Sequence, residues 1–599
     1  MKAPQIQAQS TRFLLYGIWC HLSIRRRIQL GLLLILVIFS AGAELASLGL
    51  SLPFLAALSA PEHLLRQPII KPVMQSLGLT ALDQIVLPTA ALFAIAVVLS
   101  SLVRLANLRI NGQLAASIGS ELSCEAYRRT LYRPYCVHLE RNSSTVITAV
   151  TSYSAGSVIA FSALLDLVAA MVVSVGLYVG LLLMDWSIAL ISAGVFGAVY
   201  VFLGITARRE LLQNSSRIAV AAQRQVKVLQ EGLGAIRDVL MDRCQPTYLG
   251  IYRAVDHPMR QLQVKNEFLG LFPRYAVEAV GMVLIAVLGA LLVLQRGSGT
   301  MVIPLLGGLA LGAQRLLPPL QQIYFCWAQL NRRNADLAGL LSMLEQEIPV
   351  EVLITQPWQF NHSICLEDVS FSYGLDRPQV LHGLDLKIDR GTRIGIVGST
   401  GSGKSTLVDI MMGLLIPSKG KLLVDGFNIF DQEHPDWLPK WQLAIAHVPQ
   451  NIYLADGSIA ENIAFGIPKS DIDFQRVRSA AEQAQIANFI ESSPDGYATF
   501  VGERGIRLSG GQRQRIGIAR ALYKQAQILV FDEATSALDG VTEAALIQSI
   551  NELSPQLTII MIAHRLSTLQ NCDRIIEIKN RAVVETFPND LNFSNSVVF

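Results

Sequence analysis

The run Gly398, Ser399, Thr400, Gly401, Ser402, Gly403, Lys404, Ser405 and Thr406 sets glycines, a lysine and hydroxyls in the order that cradles a polyphosphate. Glycines let the backbone curl so that successive N–H groups point inward, and a following helix adds its positive end. Lys404 reaches the outer phosphates, and Ser405 is placed to hold magnesium. The competing interpretation is a glycine-rich turn that binds nothing. It is outweighed because Arg393 to Val397 reads as a strand and Leu407 to Leu415 as an apolar helix, the context the motif demands.

Further along, Ile528 to Phe531 is a fully apolar run ending in Asp532 and Glu533, as expected of a strand at the centre of a parallel sheet. Open α/β sheets bind ligands at the carboxyl ends of their strands. There Asp532 can join the magnesium shell and Glu533 can polarise an attacking water. Two adjacent acids at a strand end are often only a helix cap; a phosphate loop in the same domain favours the catalytic interpretation.

The rest of the chain must hold these groups and says where. Of 599 residues, 51% are hydrophobic and 16% charged, too apolar for a soluble protein of several domains. The 49 basic and 46 acidic residues are too balanced for a nucleic-acid partner. Seven scattered cysteines form no CxxC pair and no metal-ligand spacing, and read as thiols. Composition changes near residue 340. Six runs long enough to span a bilayer lie near 29–58, 85–108, 157–183, 188–207, 275–295 and 300–327, the third and fourth separated by Met184 to Ser187 as a tight hairpin. Basic residues crowd before the first span (Arg25, Arg26, Arg27), after the second (Arg104 to Arg141) and after the fourth (Arg208 to Arg274), which places both termini in the cytoplasm. The long basic connections read as helices projecting there. Phe13, Leu14, Tyr16, Trp19 and Leu22 suit an interfacial amphipathic helix, the alternative being a disordered leader. The run from Ile28 to Leu58 is too long for the core of a signal peptide.

Between the phosphate loop and the acids stands Leu508-Ser-Gly-Gly-Gln512, and with it the chain resembles the ATP-binding cassette family. The resemblance extends through Tyr373 in Phe371-Ser-Tyr-Gly, Gln450 in Val448-Pro-Gln, Ser536-Ala-Leu-Asp539 and His564 in Ile562-Ala-His-Arg, and so covers the whole second domain. It implies ATP and Mg2+ as cofactors. It implies that Tyr373 stacks on adenine, that Gln450 senses magnesium and the attacking water, and that His564 fixes the γ-phosphate with Glu533. The signature residues Ser509, Gly510, Gly511 and Gln512 would serve ATP held by a second copy, so a dimer of half-transporters is expected. Val501 to Gly505 looks like the exporter-type segment facing the membrane part. One departure is Lys579-Asn-Arg581, a terminal turn where the family commonly has glycine.

The expected fold is a polytopic α-helical membrane domain of six transmembrane helices fused to an α/β P-loop nucleotide-binding domain. The expected boundaries are a cytoplasmic N-terminal segment with an interfacial helix at 1–27, membrane domain at 28–340, linker at 341–362 and nucleotide-binding domain at 363–599. Glu44, inside the first span, and Arg274, Glu278 and Arg315 point either to a headgroup path or to mutual pairing. Short strings around Glu44 to Phe54, Pro134 to Ser144 and Arg315 to Pro318 resemble exporters of lipid-linked oligosaccharides and glycolipids, which makes such an amphiphile the expected cargo. A multidrug or lipid A type exporter, an importer and an ATP-gated regulator are the alternatives. No cysteine-protease module precedes the spans, which argues against a leader-processing peptide exporter. The expected location is a bacterial inner membrane.

Overall fold

Long helices dominate the first part of the chain because its apolar runs leave backbone hydrogen bonding to be satisfied internally. The computed structural model describes residues 10–59, 82–140, 142–184, 186–296, 302–348, 356–374, 377–533, 540–551, 556–562, 569 and 572–586. The chain divides into two compact units, Met1–Arg133 with Arg141–Ile348, and Pro134–Glu140 with Pro349–Phe599.

The first unit opens with α1 (Thr11–His21) and α2 (Ile24–Ser59), followed by α3 (Leu82–Leu131). The short α4 (Tyr135–Glu140) belongs to the second unit. Next come α5 (Ser143–Thr148), a π-helical turn at Ala149–Tyr153, α6 (Ser154–Met184) and α7 (Trp186–Gly234). Then follow α8 (Ile236–Met241), α9 (Gln245–Arg296), α10 (Val302–Arg332) and α11 (Asn334–Leu344). Each expected span falls on a long helix. Among the described residues, Ile24–Ser47, Val86–Leu131 and Ser143–Val179 are long and apolar enough to cross a membrane on composition alone. Helices α3, α7 and α9 run to 50, 49 and 52 residues. At 1.5 Å per residue that is about 75 Å, well beyond the roughly 30 Å hydrocarbon layer. Helices α7 and α9 are tied by polar contacts: the buried Asn214 amide donates to Asn266 Oδ1 at 2.8 Å, and Gln225 Nε2 donates to Asp256 Oδ1 at 2.7 Å.

Helix α1 is amphipathic as expected, with Leu14 and Ile18 buried and Phe13 and Tyr16 exposed. Its apolar face packs on α11 in a cluster that includes Leu337, Leu340, Leu341 and Leu344. Close crossings use glycines. A Cβ on Gly17 would lie 2.7 Å from Leu341 Cδ2, and one on Gly156 would collide with the Asp336 carboxylate. Glu44 forms an ion pair with Arg104 of α3. Arg274 is exposed and Glu278 half-buried, while the side chain of Arg315 lies outside the described residues.

In the second unit, β1 (Ser363–Phe371), β2 (Leu381–Asp389), β4 (Lys419–Val424) and β5 (Phe427–Asn428) form an antiparallel sheet ordered β2-β1-β4-β5. A six-stranded sheet contains β3 (Arg393–Val397), β6 (Ile445–Val448), β7 (Ile528–Asp532), β8 (Thr558–Ile562), β9 (Arg574–Lys579) and β10 (Ala582–Thr586) in the order β10-β9-β3-β8-β7-β6. All its pairings are parallel except β9 with β10. The inner strands are buried on both faces. Ile394, Ile396, Val530 and Ile560 face one core with the antiparallel sheet and α12 (Lys404–Met411); Leu529, Phe531, Ile559 and Met561 face a second core. That second core is covered by α14 (Ile459–Ile463), α15 (Phe474–Gln483), α16 (Ala487–Ser492) and α17 (Gly510–Tyr523), with Ile550 of α18 (Gly540–Asn551) packed into it, while Trp441 of α13 (Trp437–Ala444) belongs to the first core. Helix α12 begins and ends earlier than the expected Leu407 to Leu415. Gly403 caps its start in a left-handed conformation, and Gly413, at φ +72°, lies just past its end.

Candidate nucleotide site

Strand β3 lies between β9 and β8, and the loop after Val397 therefore opens at the carboxyl edge of the sheet. Gly398, Gly401 and Gly403 take φ of +154°, +81° and +105°, and a Cβ on Gly398 would lie 2.7 Å from Ser402 Oγ. Ser402 Oγ is itself buried with no hydrogen-bond partner, an unmet hydroxyl in a concave loop, which fits a phosphate oxygen. Lys404, 7% exposed, donates from Nζ to Gly398 O at 2.7 Å and Ser399 O at 3.1 Å. Burial lowers its pKa, while nearby Glu533 and Asp532 act in the opposite direction. The lysine and both expected carboxylates are thus brought together. Ser399 and Thr400 are exposed on the loop and Ser405 is exposed in the first turn of α12, while Thr406 Oγ1 lies 2.9 Å from the Tyr373 hydroxyl.

Strand β7 pairs with both β6 and β8, so its end meets the groups that follow them. Glu533 adopts φ +50°, its N–H donates to Ile562 O at 3.0 Å, and its Oε2 accepts from Gln450 Nε2 at 2.7 Å. The glutamate is aimed by strained backbone and by the glutamine after β6 at once. His564 and the Ser536 to Asp539 segment lie outside the described residues.

The signature segment begins α17, which packs against α14, α15 and β6. Ser509 Oγ accepts from the Gln512 N–H at 3.2 Å, and Gln512 Oε1 accepts from the Ser509 N–H at 2.8 Å, a reciprocal capping box. These side chains serve each other, which leaves the N–H groups of Gly510 and Gly511 at an exposed helix start.

Two residues near the loop are not linked to the nucleotide site by the sequence. Asp409 is pushed up to about 6 by burial and by Asp532; it lies four residues after Ser405, one turn along the same helix, and that spacing was a readable signal. Tyr135 of α4 has its hydroxyl pushed up by burial and then by Asp409 and Tyr373. Nothing in its local sequence signals that it sits with residues more than two hundred positions away.

The family profile described as ABC transporter matches residues 381–536. The ATP-dependent lipid A-core flippase of Blochmanniella pennsylvanica is 30% identical over 470 residues, covering 76% of this chain and 78% of that protein. The chain belongs to the ABC transporter family. A flippase of the same description from Chromohalobacter salexigens is 40% identical over 274 residues, a match spanning about half, 46%, of either chain. A solved structure of a bacterial Atm1-family ABC exporter with ATP bound superposes at TM-score 0.77 and 24% identity over 94% of this chain and 96% of that one. This ABC transporter therefore has the exporter fold, an ATPase domain joined to a helical membrane region.

Proposed function

We propose that the protein is a flippase for an amphiphile of the lipid A type, driven by ATP hydrolysis between two copies of the chain. The relatives named as lipid A-core flippases carry the choice of cargo, because two of them match at 30% or more over two thirds or more of their length. They support that alternative over the lipid-linked oligosaccharide first expected.

In this reading the N–H groups of Gly398 to Gly403 and the Lys404 ammonium hold the ATP phosphates, and Tyr373 stacks on adenine. Ser405, Asp532 and Gln450 would hold Mg2+, which supplies charge neutralisation between the outer phosphates. Glu533, oriented by Gln450, takes a proton from the attacking water, and His564 steadies the γ-phosphate. Ser509, Gly510, Gly511 and Gln512 of the second copy close over the nucleotide, so ATP joins the two cassettes and hydrolysis releases them. The basic residues flanking the spans support cytoplasmic cassettes, and the flippase relatives support a bacterial inner membrane.

Reconstituted proteoliposomes carrying fluorescent lipid A in one preparation and fluorescent lipid-linked oligosaccharide in another provide the test. ATP-dependent loss of leaflet accessibility is expected for lipid A. If ATP is hydrolysed while lipid A stays in its leaflet, the cargo assignment is wrong.

A further inference from the structure

Within the first unit, a cavity of about 720 Å³ lies among α2, α3, α6 and α10, within the roughly 300–1,000 Å³ typical of small-ligand sites. Its wall carries Glu44, Arg104, Asn107, Asn111, Asp166 and Gln322, an unusual density of polar groups for a membrane helix bundle. Arg104, Asn107 and Asn111 recur at i, i+3 and i+7 and so share one face of α3.

The chemistry offered to an occupant follows by subtraction. Glu44 and Arg104 satisfy each other as an ion pair. Asn111 Nδ2 donates to Asp166 Oδ1 at 3.1 Å, which fixes the amide with its oxygen turned from the acid. Asn111 is 7% exposed, yet its Oδ1 has no partner, and neither has the buried Oδ1 of Asn107. A buried amide oxygen left unpaired is costly, so the cavity calls for hydrogen-bond donors. A phosphate brings acceptors only and would meet two carboxyl groups against one guanidinium; an acyl chain brings neither donors nor acceptors. Sugar hydroxyls bring donors without charge.

We propose that this cavity is the glycosyl subsite of the transporter, where hydroxyls of a lipid-borne sugar are bound by the amide oxygens of Asn107 and Asn111 and by Asp166. The proposal rests on the flippase reading and assigns the sugar part of the cargo to it. Phosphates of the same cargo belong elsewhere.

The full chain in lipid nanodiscs, titrated with a monoglucosyl diacylglycerol and, separately, with phosphatidic acid of the same acyl chains, decides the matter by direct binding. Asn111→Leu, nearly isosteric, is expected to weaken binding of the glucosyl lipid about tenfold and leave phosphatidic acid unchanged. The half-exposed Asn107→Leu provides the same reading should Asn111→Leu lower the thermal midpoint. Unchanged glucosyl-lipid binding in both variants, as when ordered water alone fills the cavity, overturns the proposal, as does equal weakening for both lipids. The two readings fail separately. Asn-dependent binding without ATP-driven movement of lipid A removes the flippase reading and keeps the subsite; movement of lipid A with Asn-independent binding does the reverse.

Discussion

Glu533 sits at the end of β7 with a left-handed backbone and a carboxylate bonded to Gln450, a position built for directing one proton acceptor. Replacing it with glutamine keeps the shape and the hydrogen bond while removing the proposed base. Phosphate release by Glu533→Gln should drop at least about 100-fold, the size of a general-base contribution, while ATP binding stays within a few-fold of wild type. Wild-type turnover in that variant would remove the assignment. Asp336 offers a prediction of stability. Its side chain is 16% exposed and lies 3.2 Å from Arg333 Nη1, yet burial outweighs the arginine and pushes it up to about 6. The folded state therefore holds this proton more firmly than the unfolded chain, and stability declines as pH rises from about 4 through 6. A shift of about two units corresponds to about 3 kcal/mol at most. Asp336→Asn should raise the unfolding midpoint at pH 7.5, with the gain fading towards pH 4; a gain independent of pH would contradict the burial argument.

Among the elements, the hairpin joining β9 to β10 departs most from local preference. Lys579 pairs directly with Ala582, so the turn has two residues, Asn580 at φ +51° and Arg581 at φ +68°. That is the type I′ geometry, for which Asn-Gly is the favoured pair. The asparagine is well chosen and the arginine is not, which gives the atypical Lys579-Asn-Arg581 string a physical meaning. The backbone carbonyl of Arg581 accepts from the His382 N–H at 3.1 Å, a bond that glycine retains. Arg581→Gly should stabilise the domain by about 0.5–1 kcal/mol, read as a higher thermal midpoint of the full chain; a lower midpoint would mean the arginine side chain contributes more than its backbone costs. The start of α17 is the opposite case. The Ser509 and Gln512 capping box agrees with local preference, and Ser509→Ala should cost about 1 kcal/mol.

For the whole molecule the decisive expectation is that each ATP is shared by two chains. In the proposed dimer Lys404 would act from one chain and the helix start at Gly510 from the other. Co-reconstituting Lys404→Ala chains with Gly510→Asp chains leaves one composite site of each mixed dimer intact, because the damaged loop faces the damaged helix start. Placing both substitutions in one chain and pairing it with wild type damages both sites of the mixed dimer. Mixed dimers isolated with two different tags should hydrolyse ATP in the first arrangement and fall to background in the second. The reverse order, background in the first arrangement and hydrolysis in the second, would mean that each chain completes its own site.

The sequence by itself determined what depends on neighbours along the chain. Strand β3 occupies Arg393–Val397 as its apolar pattern and following glycines require, β7 ends at Asp532, and long apolar stretches become long helices. These follow from periodicity, turn chemistry and backbone hydrogen bonding, all local causes. The tertiary structure alone decided which distant groups meet. Gln450 reaches Glu533 across 83 positions and Asn111 reaches Asp166 across 55. Glu44, read from sequence as facing either a headgroup path or an unnamed partner, pairs with Arg104. A helix pattern states which face a residue occupies, but the helix packed against that face is chosen by the joint packing of all of them. The candidate site groups were therefore legible one by one as expectations, whereas the contact of Gln450 with Glu533, and the unpaired amides of the cavity, emerged only from the fold.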